Sequence, residues 1–245
     1  MLKTTIRIIE RPKLRDPVLI EGLPGIGFVA NIAALHLIKS LRAKKFIEIR
    51  SPFFQNLAIL TEKGGIRFPV NELYYYKGEG MPHDLMILYG NTQALTTYGQ
   101  YELCGQILDV AREFGCKSVF CMGGLRSERM TLTPELYCAA TDLETLNKAL
   151  EGGIKKIRGR IFGAAGLLIG LAKLRKMHGL CLLAETPGSY PDSVAAKSAL
   201  EGLCGILGLK VDLERLEQSA ESTRRVLESF KEWKIRERPK SLRPV

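Results

Sequence analysis

Gly25, Gly27 and Ala30 carry the spacing GxGxxA directly after the apolar run at residues 18–20. In a strand–turn–helix unit such glycines let the backbone approach a pyrophosphate at a helix N-terminus. Glu48, near the end of the next apolar segment, stands where an acid would hold a ribose hydroxyl. Two features oppose dinucleotide chemistry. Pro24 stiffens the turn and removes a backbone donor that could face phosphate, and after Arg50 the pattern is a hairpin where a second crossover helix belongs. A phosphate loop of the NTPase type is excluded too, because Phe28 and Val29 follow Gly27 where lysine and serine or threonine would be required. No cofactor is expected.

Nucleophilic and metal chemistry find no better support. There is no GxSxG elbow, and Cys104, Cys116, Cys121, Cys138, Cys181 and Cys204 lie inside apolar segments with no CxxC pair, as reduced core thiols would. His36, His83 and His178 have no cysteine or second histidine at metal-ligand spacing. Neither catalytic residues nor a metal site are expected. Polar groups do follow two apolar strand patterns, Asn91, Thr92 and Gln93 after DLMILYG and Glu185 at the end of LCLLAE, where open α/β sheets seat ligands. Gly25, Gly27, Asn91, Gln93 and Glu185 are therefore the candidate residues of one cleft. Side-chain amides read polar groups but are poor acids and bases, so the cluster points to loop fixation or recognition.

The elements that must position these residues follow from hydrophobic period. Strands are expected at 4–9, 18–21, 45–50, 84–89, 118–122, 135–140 and from 179, and helices at 27–40, 98–114, 143–150, 163–176 and 193–207. Asp142 and Asp192 are placed to cap the helices that follow them, and Gly115 to close the one before it. Residues 55–78 read as a β-hairpin turning at 62–65, where Gly64 and Gly65 supply positive φ. From Asp212 a charged helix carries Leu213, Leu216, Ala220, Thr223, Leu227 and Phe230 at steps of three and four, a seam for packing back on its own domain or on another subunit. The expected organisation is an α/β domain at 1–210, a helical segment at 211–235 and a basic tail at 236–245.

The 245 residues suffice for a large core, and no stretch approaches the roughly 20 apolar residues of a membrane span. The first residues alternate charge and apolarity without the apolar core of an export signal, so a cytoplasmic location is expected. Of the net charge of +10, a concentrated share comes from Lys155, Lys156, Arg158, Arg160, Lys173, Arg175 and Lys176, in the acid-free window 152–176. Such a segment suits acidic protein partners, whereas nucleic-acid binding lacks the interleaved aromatics it would need.

EGLPGIG at 21–27, GNTQ at 90–93, CMGG at 121–124, FGAAGLLIGL at 162–171 and AETPGSYP at 184–191 occur in an order that resembles the proteasome assembly chaperone two family, in its archaeal form. The resemblance spans about 16–230. It implies a three-layer α/β/α sandwich, nucleoside-phosphorylase-like and Rossmann-like, with a β-hairpin insertion and a C-terminal helix. It also implies homo-oligomers that bind proteasome subunits without catalysis. Some members end in a hydrophobic, tyrosine, any-residue motif that enters pockets of the proteasome α ring. Arg243, Pro244 and Val245 stand here instead, so docking by that route is not expected. The expected function is a non-enzymatic protein-binding scaffold. The alternative is a small-molecule or nucleotide-binding enzyme built on the Gly22–Gly27 turn.

Overall fold

The computed structural model describes residues 3–78, 80–128, 133–216 and 218. The chain opens with β1 (Thr5–Ile8) and β2 (Val18–Gly22), whose five residues are all buried. A single 3-10 turn (Ile26–Phe28) leads into α1 (Val29–Leu41), and β3 (Lys44–Arg50) follows. The expected hairpin divides in two. Its tip is a separate two-stranded sheet, β4 (Ile59–Leu60) and β5 (Ile66–Arg67), closed by the Thr61 amide donating to the Gly65 carbonyl at 2.9 Å. The second half becomes β6 (Asn71–Tyr76), whose alternating burial matches a strand inserted in the main sheet.

Next come β7 (Leu85–Gly90), α2 (Thr97–Glu113), β8 (Ser118–Arg126), β9 (Leu136–Ala140), α3 (Leu143–Glu151), β10 (Lys155–Lys156), α4 (Gly163–Leu174), β11 (His178–Thr186) and α5 (Ser193–Leu207). The short β10, within the basic window, has no counterpart in the hydrophobic pattern because both its residues are exposed lysines. The main sheet has the order β1-β3-β6-β7-β2-β8-β11-β9-β10. Its centre, β7-β2-β8-β11, is parallel, and antiparallel strands extend it on both sides. Continuous apolar runs such as those of β2 and β7 suit these central positions, which are covered on both faces.

Two apolar clusters lie on the two faces. Val18, Ile20, Ile87 and Leu182 pack beneath α1 and α5, while Leu19, Met86, Val119 and Leu183 pack beneath α2 and α4. This is the α/β/α sandwich expected from the sequence. The local signals act as read: Oδ1 of Asp142 accepts the Thr145 amide at 2.9 Å, Oδ1 of Asp192 accepts the Val194 and Ala195 amides at 3.1 and 3.0 Å, and Gly115 takes a φ of +86° after α2. Each of the three histidines has a polar partner. His83 Nδ1 lies 2.9 Å from Asp16 Oδ2, His178 Nδ1 lies 3.0 Å from Asp142 Oδ2, and His36 Nε2 lies 2.7 Å from the Asp212 carbonyl. Leu209 and Leu216 join the α1–α5 cluster, so the start of the C-terminal segment packs on its own domain. The remainder of the expected 213–230 seam, beyond residue 218, and the basic tail lie outside the described residues. Among the described residues no helix is long and apolar enough to cross a membrane.

Candidate functional site

α1 leaves β2 over one face of the sheet and α2 leaves β7 over the other, so a crevice opens at the carboxyl ends of these strands. The turn from β2 to α1 forms one wall. The Phe28 amide closes it on the Gly25 carbonyl at 3.0 Å, and Gly27 and Phe28 both take left-handed conformations, with φ of +63° and +52°. A Cβ on Gly27 would lie 2.8 Å from Thr186 Oγ1, and the Gly27 carbonyl accepts the Asp192 amide at 2.8 Å. Gly27 therefore serves close approach to the end of β11. Gly25 has open space around it and lines the crevice instead.

Gln93 ties three elements together. Its Nε2 donates to the Pro24 carbonyl at 2.5 Å, and its Oε1 accepts the Ala164 amide in the first turn of α4 and Nε2 of Gln100 in α2, both at 3.0 Å. This is loop fixation: Phe162 at the head of α4 makes no side-chain cap, and Gln93 supplies an acceptor from outside the helix. Asn31 of α1 adds a second clip, donating from Nδ2 to the Gly22 and Gly90 carbonyls at 3.1 and 2.8 Å.

The five expected cleft residues do not all converge. Gly25 and Gln93 line a cavity of about 240 Å³ at the ends of β2 and β8, and Gly27 lies behind its wall against Thr186. Asn91 turns away, accepting the Val70 amide on Oδ1 at 3.0 Å, and lines a separate groove beside the hairpin tip. Glu185 pairs in register with Leu125 and lies towards Tyr137 and Lys155, off the cavity wall although Leu183 of the same strand is on it.

The residue that dominates the cavity is Glu21. Strand alternation sends Leu19, Glu21 and Leu23 to the α2–α4 face, so a carboxyl enters an apolar layer at 1% exposure. Its Oε1 accepts the Leu23 amide at 2.7 Å, whereas Oε2 has no hydrogen-bond partner. Burial pushes the carboxyl from its ordinary 4.5 up to about 8, against the opposing pull of the Leu23 and Met122 amides. Gly123 and Gly124 line the cavity where neighbours approach closely: a Cβ on Gly123 would lie 2.9 Å from Leu183 Cδ2, and one on Gly124 would come within 2.4 Å of the Ile26 carbonyl oxygen. Arg126 and Arg160, both exposed, also line this cavity. Sequence reasoning passed over Glu21. The available signal was a carboxylate inside VLIEG, a strand otherwise apolar throughout.

The geometry also bears on the competing chemistries. Glu48 sits three strands from β2 in ion pairs with Lys45, Arg7 and Arg50, so it has no access to the glycine turn. All six cysteines are buried and unbridged, and burial raises the Cys104 thiol to about 12 and those of Cys116 and Cys204 to about 11, far from a working thiolate. No group of three or more histidine, cysteine or acidic side chains is placed to hold a metal among the described residues.

Comparison with known proteins agrees with this architecture. The PAC2 family profile matches residues 19–231. The uncharacterized protein MJ1210 of Methanocaldococcus jannaschii is 33% identical over 231 residues, covering 94% of this chain and 88% of its own. The crystal structure of Pyrococcus furiosus PbaB, an archaeal proteasome activator, superposes with a TM-score of 0.88 at 38% identity, over 94% of this chain and 100% of that one. That of P. furiosus PbaA, an archaeal homologue of proteasome-assembly chaperone, does so with a TM-score of 0.76 at 26% identity, over 96% and 95%.

Proposed function

Because this chain belongs to the PAC2 family, we infer that it is a protein-binding factor directed at the proteasome, acting by contact and not by catalysis, and working as a homo-oligomer. The likeness to PbaB and PbaA supports the proteasome as target. One observation of this chain carries the contact reading: large apolar side chains stand in solvent on the loops at one end of the sheet. Ile26 and Phe28 follow β2, Leu60, Ile66 and Phe68 belong to the excursion after β3, Leu95 and Tyr98 follow β7, and Phe162 precedes α4. Since β3, β7 and β2 run in the same direction, their carboxyl ends share one rim. Phe162 at 81% exposed, Leu60 at 76% and Tyr98 at 71% gather apolar surface on that rim, and it is such gathering that marks surfaces for partners. Each such side chain would gain about 1.5–3 kcal/mol if fully covered.

The test mixes the purified chain with proteasome α and β subunits and follows complex formation by gel filtration, assembly by native gels and peptide hydrolysis by the assembled particle. The expected result is a co-migrating complex with a changed assembly rate or a changed hydrolysis rate, weakened by Leu60→Asp combined with Phe68→Asp at unaltered melting temperature. Absence of a complex together with unchanged assembly and hydrolysis would refute the reading.

A further inference from the structure

We propose that the cavity at the carboxyl ends of β2 and β8 binds a small zwitterionic amino acid, with its ammonium on Glu21 and its carboxylate against Arg160 and Arg126. The floor of the site is the argument for the cation. Glu21 is 1% exposed, and its Oε2 has no hydrogen-bond partner in a layer otherwise filled by apolar side chains. A buried polar atom of this kind costs free energy that a donor brought by a ligand would recover. An ammonium is the donor that also offsets charge, and it would convert the neutral acid into a paired carboxylate.

The remainder of the lining selects the rest of the molecule. Leu23, Met122, Ile161 and Leu183 offer apolar walls suited to a short aliphatic stretch or side chain. At about 240 Å³ the space is smaller than the roughly 300–1,000 Å³ of sites for larger ligands. Arg126 and Arg160 also line the space, and neither forms an ion pair with an acidic side chain among the described residues. Two unpaired guanidinium groups are the fork-shaped donors that a carboxylate accepts. The loop carrying Arg160 is set against α4 by backbone contact, because a Cβ on Gly166 would fall 2.2 Å from the Ile161 carbonyl oxygen. Gly25, Gln93 and the Gly123–Gly124 pair, conspicuous in the sequence, thus frame a binding site in which a glutamate does the recognising.

Proton linkage gives the test a signature. With a pKa of about 8 the empty cavity holds Glu21 mostly protonated at pH 7, so docking of an ammonium expels close to one proton per site. Isothermal titration of the full chain with L-leucine, L-methionine, γ-aminobutyrate and 6-aminohexanoate, in two buffers of different ionisation enthalpy, reads both affinity and proton release. At least one zwitterion should bind in the millimolar range or tighter, with release near one proton and affinity that rises between pH 6 and 8. Leucinamide, which lacks the carboxylate, and 4-methylpentanoate, which lacks the amine, should bind at least tenfold more weakly than leucine. Glu21→Gln should abolish the proton release, and the exposed Arg160→Ala, which leaves the core untouched, should weaken binding at least tenfold. The proposal is overturned if no zwitterion binds at millimolar concentration, if the one-ended analogues bind as well as leucine, or if Glu21→Gln leaves affinity and proton release unchanged.

Discussion

Replacing Glu21 by glutamine should make the protein more stable, and increasingly so as pH rises. Glutamine retains the Oε1 acceptor for the Leu23 amide at 2.7 Å and cannot ionise. The folded-state pKa of about 8 lies above the ordinary 4.5, so the folded state resists losing a proton that the unfolded chain gives up readily. Below pH 4.5 both states are protonated and the group costs nothing; between 4.5 and 8 the unfolded state ionises first and stability falls; above 8 the penalty is constant. At 1.36 kcal/mol per pKa unit, the penalty grows by about 3.5 kcal/mol between pH 5 and pH 8. For a chain of this size that corresponds to roughly 7–14 °C in melting temperature. Urea unfolding of the wild type and Glu21→Gln at pH 5, 6, 7 and 8 measures the difference directly. The two curves should diverge steadily with pH, the variant lying above. Parallel curves, with a gap constant to within about 1 kcal/mol, would show that Glu21 is solvated in the folded state and would refute the account of a buried, half-partnered carboxyl.

Three further outcomes follow from backbone and capping geometry. Arg42 and Lys176 close α1 and α4 at φ of +50° and +57°, a conformation that strains a side chain, so Arg42→Gly and Lys176→Gly should each raise stability by about 0.5–1 kcal/mol in guanidinium titrations. Gly124→Ala should lower it by about 1–3 kcal/mol in thermal melts followed by circular dichroism, since the added methyl meets the Ile26 carbonyl oxygen at 2.4 Å and Thr186 Cγ2 at 2.6 Å. Asp192→Ala removes the acceptor for the Val194 and Ala195 amides, at 3.1 and 3.0 Å, and the partner of the Thr186 hydroxyl at 2.7 Å. It should cost about 2 kcal/mol and speed hydrogen exchange in the first turn of α5 more than in that of α2.

Much of the architecture is legible in the sequence because its causes are local. The apolar runs of β2, β7 and β8, the helical spacing in α2 and α5, and the caps Asp142 and Asp192 each depend on neighbours within a few residues. The excursion after β3 is less legible. Leu73 and the three tyrosines at 74–76 mark a strand, but which strands it joins is decided by long-range pairing, and β6 inserts between β3 and β7 where a simple hairpin would have folded back on 59–60. The candidate site divides in the same way. Asn91 and Gln93 are two residues apart on one loop, yet Asn91 binds Val70 while Gln93 reaches Pro24 and α4. No spacing rule separates them, since their partners come from 21 to 71 residues away.

GxGxxA determined a tight strand-to-helix turn, and its chemistry was not decided there. With Glu48 three strands away in a salt-bridge network and Gly27 packed on Thr186, the turn forms one wall of the cavity. By itself the sequence determined that a carboxylate stands in an apolar strand, which the pairing of β2 with β7 and β8 requires to be buried. Only the tertiary structure decided that one of its oxygens has no partner and that a cavity with two arginines on its lining lies over it. Burial follows from a strand's own composition, whereas an unfilled space and an unmade hydrogen bond depend on how distant elements fail to meet.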